Sequence, residues 1–412
     1  MAKVVITAVG SRGDTAPMIA IGTRLQDAGH DVVLTAFTIF RDLVTESGLR
    51  FRPHDLSIDE GVAENDVPDP LAALKQFLSP KGIQESGEAL LATLADEPAD
   101  ILLLSPFAEL AGHPLAEARG IPSLGVRLQP MSTTAAYPPS ILGGWSAGPA
   151  LNRLAGRFGA AAVDHVYGKP VAAFRRQLGL PKVTAKALRR RRTEAEWPIL
   201  HGYSPLVAPR PADWRPGLDV VGFWWPPRPL GWEPPEELVR FLAAGPPPVY
   251  VGFGSLPMPG GESERVSGII ADALRRAKVR GIVQAGWANL AVTADDVMTI
   301  GEVPHDWLFD HVGAVVHSCG AGTTGAGLRA GVPVVAIPNV AGDQRFWARR
   351  LHELGVSAGT LSRRKMTAES LAAAITTAVT DPRLRANAKA VSAKLADEDG
   401  TAAVLSAVNR LT

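Results

Sequence analysis

A glycine-rich segment, residues 317–327, carries the residue types best suited to hold a charged ligand. The apolar pair Val315-Val316 precedes His317 as in a buried strand, and glycines follow at Gly320 and Gly322. A strand that passes through a glycine-rich turn into a helix leaves unpaired N–H groups at the helix start, where they bind anions. His317 can donate a hydrogen bond to a phosphate oxygen. The alternative is a satisfied core histidine, but the position of His317 directly before this loop favours the phosphate role.

A second glycine-bearing loop, residues 10–17, lies between the first predicted strand and the first predicted helix. The carboxylate of Asp14 lies at the start of the helix, where it would face a ligand bound to another domain. A carboxylate there can act as general base towards an acceptor hydroxyl. The alternative is that Asp14 or Thr15 simply caps the helix, which is an ordinary role for both residue types.

Two further loops follow predicted strands in the second half of the chain. The Gly-Ser turn at 254–255 can place a hydroxyl and backbone amides on a phosphate, although it can equally be a plain turn. Asp343 and Gln344 offer adjacent carboxylate and amide groups at a predicted helix start, which suits paired hydrogen bonds to sugar hydroxyls. Helix capping is the alternative for Asp343. Together the four loops suit a charged ligand that bears a sugar.

The segment Gly320-x-Gly322-x-x-Gly325 also matches the dinucleotide-binding fingerprint, with Asp343 as its acid. In that motif the acid stands at the tip of the second strand, whereas Asp343 lies several residues beyond the predicted strand end at Ile337. No hydride-transfer site accompanies the fingerprint. An NAD(P)-dependent oxidoreductase is therefore the second-ranked hypothesis.

Metal and hydrolase chemistry find little support in the sequence. The acidic run 397–399 contains an Asp-x-Asp, which holds a divalent cation in some sugar transferases, but it lies between predicted C-terminal helices. No cysteine–histidine cluster has zinc spacing, and no Gly-x-Ser-x-Gly sequence supports a serine hydrolase. We therefore predict no metal site.

Composition indicates a globular protein without general affinity for nucleic acid. The 412 residues include 42 lysines and arginines against 41 aspartates and glutamates, so net charge gives no attraction to nucleic acid. The single cysteine, Cys319, excludes an internal disulfide and fits a reducing compartment. No apolar run approaches the ~20 residues that span a bilayer, and we expect a soluble cytoplasmic protein. The arginine run 189–192 is expected to be a solvated loop; weak peripheral contact with anionic lipid is the alternative.

Short β-rich runs alternate with helical stretches through both halves of the chain, which predicts parallel, doubly wound sheets. A helix is predicted at 17–28, with Pro17 in its first turn, and the region 367–411 is helical by pattern. The predicted strands are 4–9, 31–36, 101–104 and 123–128 in the first half, and 249–253, 279–284, 297–301, 314–317 and 332–337 in the second.

A stretch dense in proline and tryptophan, beginning near residue 205, marks the boundary between two domains. Prolines at that density stop regular structure and stiffen a connector, and the aromatic residues are predicted to pack in the cleft between the domains. We predict two Rossmann-like domains facing one another across a cleft, with ligands at the carboxyl ends of the strands. The predicted divisions are domain 1–205, linker 206–235, domain 236–395 and a C-terminal helix, 396–412, that packs back on the first domain.

Six motifs, in their order along the chain, resemble those of the GT-B-fold glycosyltransferases. The most similar branch comprises bacterial natural-product transferases of the glycopeptide and macrolide kind, together with sterol 3-beta-glucosyltransferases. The resemblance covers nearly the whole chain. The motifs are Gly-Ser-Arg-Gly-Asp at 10–14, Phe-Gly-Ser at 253–255, Gly-Trp at 286–287, Pro-His-Asp-Trp-Leu at 304–308, His-x-x-Gly-Ala-Gly-Thr-Thr at 317–324 and Gly-Asp-Gln at 342–344.

The resemblance implies an inverting, metal-independent transfer of a hexose or deoxyhexose from a UDP- or TDP-sugar to a hydroxyl of an apolar small molecule. The nucleotide sugar is a co-substrate, and no other cofactor is implied. The N-terminal domain would bind the acceptor, the C-terminal domain would bind the donor, and Asp14 matches the proposed base. The residues implied to bind the donor are Ser255, His317, Gly320, Gly322, Thr323 and Thr324 at the diphosphate, Trp287 and Val303 at the base, Asp343 and Gln344 at the sugar, and Ser11, Arg12 and Gly13 in the loop before Asp14.

The sequence departs from the family pattern at two places. The usual His-His-Gly-Gly is His317-Ser318-Cys319-Gly320 here, which bears on the diphosphate contacts. The segment 338–343 is one residue longer than usual, which bears on the position of Asp343 and on sugar preference. Residues 71–78 and 129–145 are candidate walls of the acceptor pocket. A catalytically inactive sugar-nucleotide binding protein is the third hypothesis.

Overall fold

A computed structural model describes residues 1–54, 76–254, 258, 261–339 and 342–412 of the chain. Two parallel β-sheets with helices on both faces form an N-terminal and a C-terminal α/β domain. These are the two doubly wound domains that the alternating pattern predicts and that the resemblance to GT-B-fold enzymes implies. Sheets covered on both faces need strands that are apolar throughout, and Ile101–Leu104, in which every residue is buried, is an example.

The N-terminal sheet contains seven strands: β1 (Lys3–Thr7), β2 (Asp31–Ala36), β3 (Arg50–Pro53), β4 (Ile101–Leu104), β5 (Ser123–Arg127), β6 (Ile199–His201) and β7 (Leu218–Val220). Their order is β3-β2-β1-β4-β5-β6-β7, and neighbouring strands are parallel. Register places Ile6 between Leu34 and Leu103, so the central strand lies in the middle of the core. The helices of this part of the chain are α1 (Arg12–Asp27), α2 (Arg41–Thr45), α3 (Pro80–Thr93), α4 (Glu109–Arg119), α5 (Pro149–Gln177) and α6 (Ala185–Glu194).

The C-terminal sheet contains six strands: β8 (Val249–Gly252), β9 (Gly281–Gln284), β10 (Val297–Ile300), β11 (Ala314–His317), β12 (Val334–Ala336) and β13 (Ser357–Thr360). Their order is β10-β9-β8-β11-β12-β13, again parallel. His317 pairs with Gly252 on one side and Ala336 on the other, so the loops after these three strands share one edge of the sheet. The helices are α7 (Glu236–Ala243), α8 (Glu262–Ala277), α9 (His305–Leu308), α10 (Ala321–Ala330), α11 (Gln344–Glu353), α12 (Ala368–Thr380), α13 (Pro382–Leu395) and α14 (Gly400–Leu411).

Two local predictions for helices are wrong. Pro17 lies inside α1, because the helix begins at Arg12 after the cap residue Ser11. Proline is tolerated there only with the loss of one backbone hydrogen bond. Residues 189–192 are not a loop but lie within α6, which begins after the cap residue Thr184.

The stretch between the domains is more structured than its prolines suggest. Strand β7 lies inside the range predicted as linker and pairs with β6 in the N-terminal sheet. Trp214 and Trp224 pack in the N-terminal core instead of in a cleft, and the Trp224 indole donates to the carbonyl of Gly400 at 3.1 Å. The last helix, α14, packs on α1 through Val404 and Val408. Within the described residues, no helix is both long and apolar enough to cross a membrane.

Candidate active site

The start of α10 borders open space at the carboxyl edge of the C-terminal sheet. Its cap residue is Gly320, which brings no side chain to the N–H groups of the first turn. A methyl group built on Gly320 or Gly322 would meet no atom of the described residues within 4 Å. Because the first-turn N–H groups of a helix have no partner within it, this turn can bind an anion without any rearrangement of side chains.

The His317 side chain, at the end of β11, has one ring nitrogen satisfied and one free. Its Nδ1 accepts the backbone N–H of Cys319 at 3.0 Å, which places the ring proton on Nε2. Nε2 has no partner among the described residues, and the side chain is 1% exposed. Burial, together with His305 nearby, lowers the pKa of His317 to about 3, so the ring is neutral. A buried N–H without an acceptor is uncommon in folded proteins, and this one differs from the satisfied core histidine of the alternative hypothesis.

The hydroxyl side chains predicted at the diphosphate differ in their surroundings. Thr323 is partly exposed on the first turn of α10. Thr324 is fully buried, and its Oγ1 has no partner within the described ranges. Ser255 lies outside the residues that the structure describes.

Asp14 is held by the beginning of its own helix. The N–H and the hydroxyl of Ser11 both donate to Asp14 Oδ2, at 2.7 and 2.9 Å, so the capping role foreseen as an alternative is real. Asp14 Oδ1 accepts no hydrogen bond in the described part of the chain. Burial raises the pKa of Asp14, and the two bonds from Ser11 oppose the rise. Gly10, with φ +146°, permits this arrangement because a side chain there would collide with the carboxylate.

Asp343 and Gln344 stand at the start of α11, each anchored by one atom. Asp343 is the N-cap residue of α11, but its side chain makes no capping hydrogen bond; its Oδ2 accepts the indole N–H of Trp347 at 2.5 Å. Gln344 Oε1 accepts the backbone N–H of Asn339 at 2.9 Å, which leaves its amide N–H groups available. Burial raises the pKa of Asp343 to about 6, and the charge of Asp14 contributes to the rise. The two carboxylates, one from each domain, are therefore near enough for their charges to interact.

Arg12 links the two domains beside these carboxylates. Its guanidinium lies 3.4 Å from a carboxylate oxygen of Glu302, which follows β10 in the other domain. Ser11 and Gly13 flank it, as the cap residue of α1 and an exposed residue of its first turn. This ion pair places the α1 start against the C-terminal sheet edge.

The residues predicted at the nucleotide base occupy the same sheet edge. Trp287, on the short turn Gly286–Ala288 after β9, is 42% exposed, and its backbone N–H donates to the carbonyl of Gly254 at 3.4 Å. Val303 follows β10 and is buried. An exposed indole on a fixed turn can stack on a planar ring.

A buried polar group beneath this edge was missed in the sequence analysis. The hydroxyl of Tyr250 donates to Gln284 Oε1 at 2.5 Å, and His305 Nε2 lies 3.3 Å from the same hydroxyl. The His305 ring stacks on Phe309, and burial lowers the pKa of His305 to about 4. The motif Pro-His-Asp-Trp-Leu drew attention to His305 but gave no indication of this contact.

An aromatic cluster joins α11 to the N-terminal domain. Trp347 meets Tyr203 edge-on at 5.4 Å, and Phe346 meets Tyr137 at 5.2 Å. Tyr137 belongs to the predicted acceptor wall 129–145, and the guanidinium of Arg349 donates to the Gly144 carbonyl of the same wall at 3.0 Å. The helix that begins with Asp343 and Gln344 thus packs along the opposite domain.

Comparisons with known proteins agree with this arrangement. Residues 4–138 match the glycosyltransferase family 28 N-terminal domain, and residues 282–411 match the C-terminal domain of erythromycin biosynthesis protein CIII-like proteins. The chain is 33% identical to the O-mycaminosyltylonolide 6-deoxyallosyltransferase of Streptomyces fradiae, over 97% of this chain and 94% of that protein. The chain belongs to the GT-B glycosyltransferases.

This GT-B glycosyltransferase is also 33% identical to the sterol 3-beta-glucosyltransferase UGT80A2 of Arabidopsis thaliana, over 98% of this chain. The chain spans 65% of the length of that plant protein. It is 31% identical to a sterol 3-beta-glucosyltransferase of Candida albicans and spans 27% of the length of that protein. Among solved structures, it resembles the calicheamicin glycosyltransferase CalG4 with a TM-score of 0.70 and 19% identity, covering 100% of this chain and 98% of the other. That likeness concerns the fold alone.

Proposed function

We propose that this GT-B glycosyltransferase moves a hexose or deoxyhexose from a UDP- or TDP-sugar to a hydroxyl of an apolar small molecule, with inversion and without a metal ion. The observation that carries the proposal is the anion site at the start of α10. There, the first turn of α10 has no side-chain cap, and His317, whose Nε2–H has no partner among the described residues, ends the strand that leads into it. A nucleoside diphosphate has the negative charge and the acceptor oxygens that would satisfy the helix N–H groups and the His317 N–H.

The diphosphate would rest against the first turn of α10. As the bond between the anomeric carbon and the diphosphate oxygen breaks, negative charge grows on the leaving nucleotide. The N–H groups, the helix dipole and His317 would offset that charge with donors already in place. Among the described residues, no group of three or more histidine, cysteine, aspartate or glutamate side chains could hold a metal ion.

The acceptor hydroxyl would attack the anomeric carbon from the face opposite the diphosphate and lose its proton to Asp14. The raised pKa of Asp14 supports this role, since a more basic carboxylate is a better proton acceptor. Its free Oδ1 is the atom available for that proton. Asp343 and the amide of Gln344 would hold the sugar hydroxyls meanwhile.

The acceptor class rests on the relatives. The Streptomyces fradiae protein is named for a tylonolide acceptor, and the plant and fungal proteins are named for sterols. Both names describe largely apolar molecules that carry hydroxyl groups. The wall 129–145, which touches the start of the donor helix α11, is a suitable place to receive such a molecule.

A nucleotide-binding experiment tests the anion site. Calorimetry with UDP and TDP should show binding to the intact protein, and NAD(P) should show none. His317→Ala should weaken nucleoside diphosphate binding by about 1–3 kcal/mol, because a hydrogen bond to a charged group is lost. The matched control is His352→Ala, on the exposed side of α11. Equal affinity in both variants would remove His317 from the phosphate site.

A turnover experiment separates an enzyme from an inactive binding protein. The intact chain should consume a UDP- or TDP-sugar in the presence of a mixed panel of phenols, sterols and macrolactones, and it should do so in excess chelator. Binding without transfer or donor hydrolysis would contradict the proposal. A requirement for a divalent cation would contradict its metal-independent part.

A further inference from the structure

The outer face of α5 presents large apolar side chains to solvent. Leu151, Leu154 and Phe158 are 52%, 60% and 74% exposed. Their spacing of three and then four residues places them on one side of the helix. The loop before α5 adds Ile141, Leu142 and Trp145, each more than 40% exposed. These six residues are called the outer apolar patch.

Basic residues continue the same helical stripe. His165, Lys169 and Arg176 follow Phe158 at intervals of seven, four and seven residues, and all three are exposed. Helix α6 packs on α5, where the Arg189 guanidinium lies 2.8 Å from the carboxylate of Asp164. Large exposed apolar groups are uncommon on a surface that contacts only water, and a contiguous set of them marks a binding site.

Charge on this surface is far from balanced. Residues 149–194 contain eleven lysines and arginines and two carboxylates, whereas the whole chain contains 42 lysines and arginines and 41 carboxylates. The near-zero net charge of the molecule therefore conceals a strongly basic helical pair. Lys186, Arg190 and Arg191 are exposed on α6, so part of this charge faces solvent.

We infer that the outer apolar patch and the basic residues beside it dock on an anionic lipid bilayer. Apolar side chains that enter the headgroup region, combined with lysines and arginines that meet anionic lipids, are the two contributions that hold a helix on a membrane surface. A second copy of this chain is a poorer occupant, because a symmetric contact through this face would bring two basic surfaces together.

The patch lies at the mouth of the cleft. Gly144, between Leu142 and Trp145, is the residue whose carbonyl meets Arg349 of α11. Docking would therefore bring the predicted acceptor wall to the lipid surface, where an apolar acceptor is concentrated. Lipid binding itself follows from the surface alone and does not require the proposed sugar transfer.

Vesicle flotation of the full chain tests the inference. We expect the protein to float with vesicles made of equal parts phosphatidylcholine and phosphatidylglycerol, and to stay below vesicles of phosphatidylcholine alone. Binding should fall as salt rises, because salt screens the attraction of cations to the membrane. A monomeric protein that floats with neither kind of vesicle would overturn the inference.

Paired variants separate the two contributions. Leu154→Ser with Phe158→Ser, and separately Lys169→Glu with Arg176→Glu, should each weaken binding to the mixed vesicles by at least about tenfold. The control is Leu230→Ser, because Leu230 is 83% exposed but lies in the connector between the domains. All the changed side chains are exposed, so thermal unfolding should be unaltered.

Two outcomes would contradict the assignment. If the double serine variant binds mixed vesicles as well as the parent protein does, then lipid contact lies elsewhere. If light scattering shows a dimer that the serine changes dissociate, and no vesicle binding occurs, the face is an interface between copies of the chain. Turnover with a water-soluble phenol reports on sugar transfer independently of both outcomes.

Discussion

Asp14 combines a helix-capping role with a predicted catalytic one, and a single substitution separates them. In Asp14→Asn, the side-chain oxygen can still accept the hydrogen bonds from Ser11, so the start of α1 should keep its structure. The proton acceptor is lost, and we expect kcat to fall by about 10²–10⁴-fold. Nucleotide affinity should be retained. Asp27→Asn, at the exposed end of the same helix, is the control, and near-normal kcat in Asp14→Asn would exclude Asp14 as the base.

Asp343 should make recognition of the sugar depend on pH. Its pKa is raised to about 6, so the carboxylate becomes protonated as pH falls through that value and loses an acceptor for sugar hydroxyls. We expect the affinity advantage of UDP-sugar over UDP to decline below about pH 6, whereas binding of UDP alone changes less. Calorimetry of both ligands across this range measures the difference. A flat ratio would show that Asp343 does not accept from the sugar.

The midpoint of that pH dependence should move in opposite directions in two variants. Trp347→Phe removes an N–H that stabilises the Asp343 carboxylate, which should raise the midpoint. Asp14→Asn removes a neighbouring negative charge, which should lower it. Equal midpoints in both variants would contradict the geometry.

The raised pKa of Asp343 should also affect folding stability. Because the carboxyl group binds its proton more tightly in the native state than in the unfolded state, the native state becomes less stable as pH rises from about 4 to about 6.

At the level of single side chains, residue types and spacing were sufficient to propose this chemistry. The position of His317 before a glycine-rich loop was enough to suggest an anion ligand. Trp347 stands one helical turn after Asp343, and that spacing alone could have indicated the contact. The contact between His305 and Tyr250 could not be found in this way, because it depends on how α9 packs beneath the sheet.

The turn between β11 and α10 contains a non-glycine residue in the left-handed region. Cys319 has φ +63° and is fully buried. The family resemblance described above would place glycine at this position. The left-handed conformation costs a residue with a Cβ about 1–2 kcal/mol. We therefore expect Cys319→Gly to be more stable than Cys319→Ala by about 1 kcal/mol, measured by chemical unfolding. At Ala390, an exposed position in the interior of α13, the preference should reverse, with glycine about 1 kcal/mol less stable. The same order at both sites would argue against strain at Cys319.

Two glycines on α10 should respond differently to the addition of a methyl group. At Gly325 the new Cβ would lie 2.9 Å from the ring of Phe223 and 3.1 Å from that of Trp225, so we expect Gly325→Ala to destabilise the protein by about 1–3 kcal/mol. At Gly322 no described atom lies within 4 Å, so alanine should leave stability unchanged. Gly322→Ala should instead weaken nucleotide binding. Equal unfolding midpoints for the two variants would contradict the packing.

The same helix explains why the dinucleotide fingerprint was misleading. The third glycine of the fingerprint, Gly325, packs closely against Phe223 and Trp225, aromatic residues of the connector between the domains. Asp343 lies at the start of α11, beyond the end of β12 at Ala336. Strand alternation predicted the central strands of both sheets, but it did not predict β3, β6, β7 and β13. Strand β7 was hidden among prolines because its pairing with β6 is a long-range contact.

Across the whole molecule, the Arg12–Glu302 ion pair should influence catalysis more than stability. Both side chains are about half exposed, so the pair contributes at most about 1 kcal/mol to folding. Glu302→Lys places two cations opposite each other across the cleft, and we expect donor KM to rise severalfold while the melting temperature hardly moves. Salt should diminish the effect. Glu237→Lys is the matched control on the same domain, and an unchanged donor KM in Glu302→Lys would show that the pair does not influence donor binding.

The arrangement of the two domains was the least accessible to sequence reasoning. The motifs indicated a cleft, but the packing of Trp347 on Tyr203 and of Phe346 on Tyr137 depends on how two separate sheets meet. No periodicity within one segment encodes such a contact. The prediction that the aromatic residues of the connector fill the cleft failed for Trp214 and Trp224 for the same reason.

The lone thiol of the chain offers a practical opportunity. Cys319 is inaccessible to solvent, and burial raises its pKa well above the usual value, so maleimide reagents should leave it unmodified. Cysteines introduced at the surface of each lobe can then carry a donor and an acceptor fluorophore without background labelling. Energy transfer between the dyes would then report any change in the distance between the two lobes when a donor nucleotide binds.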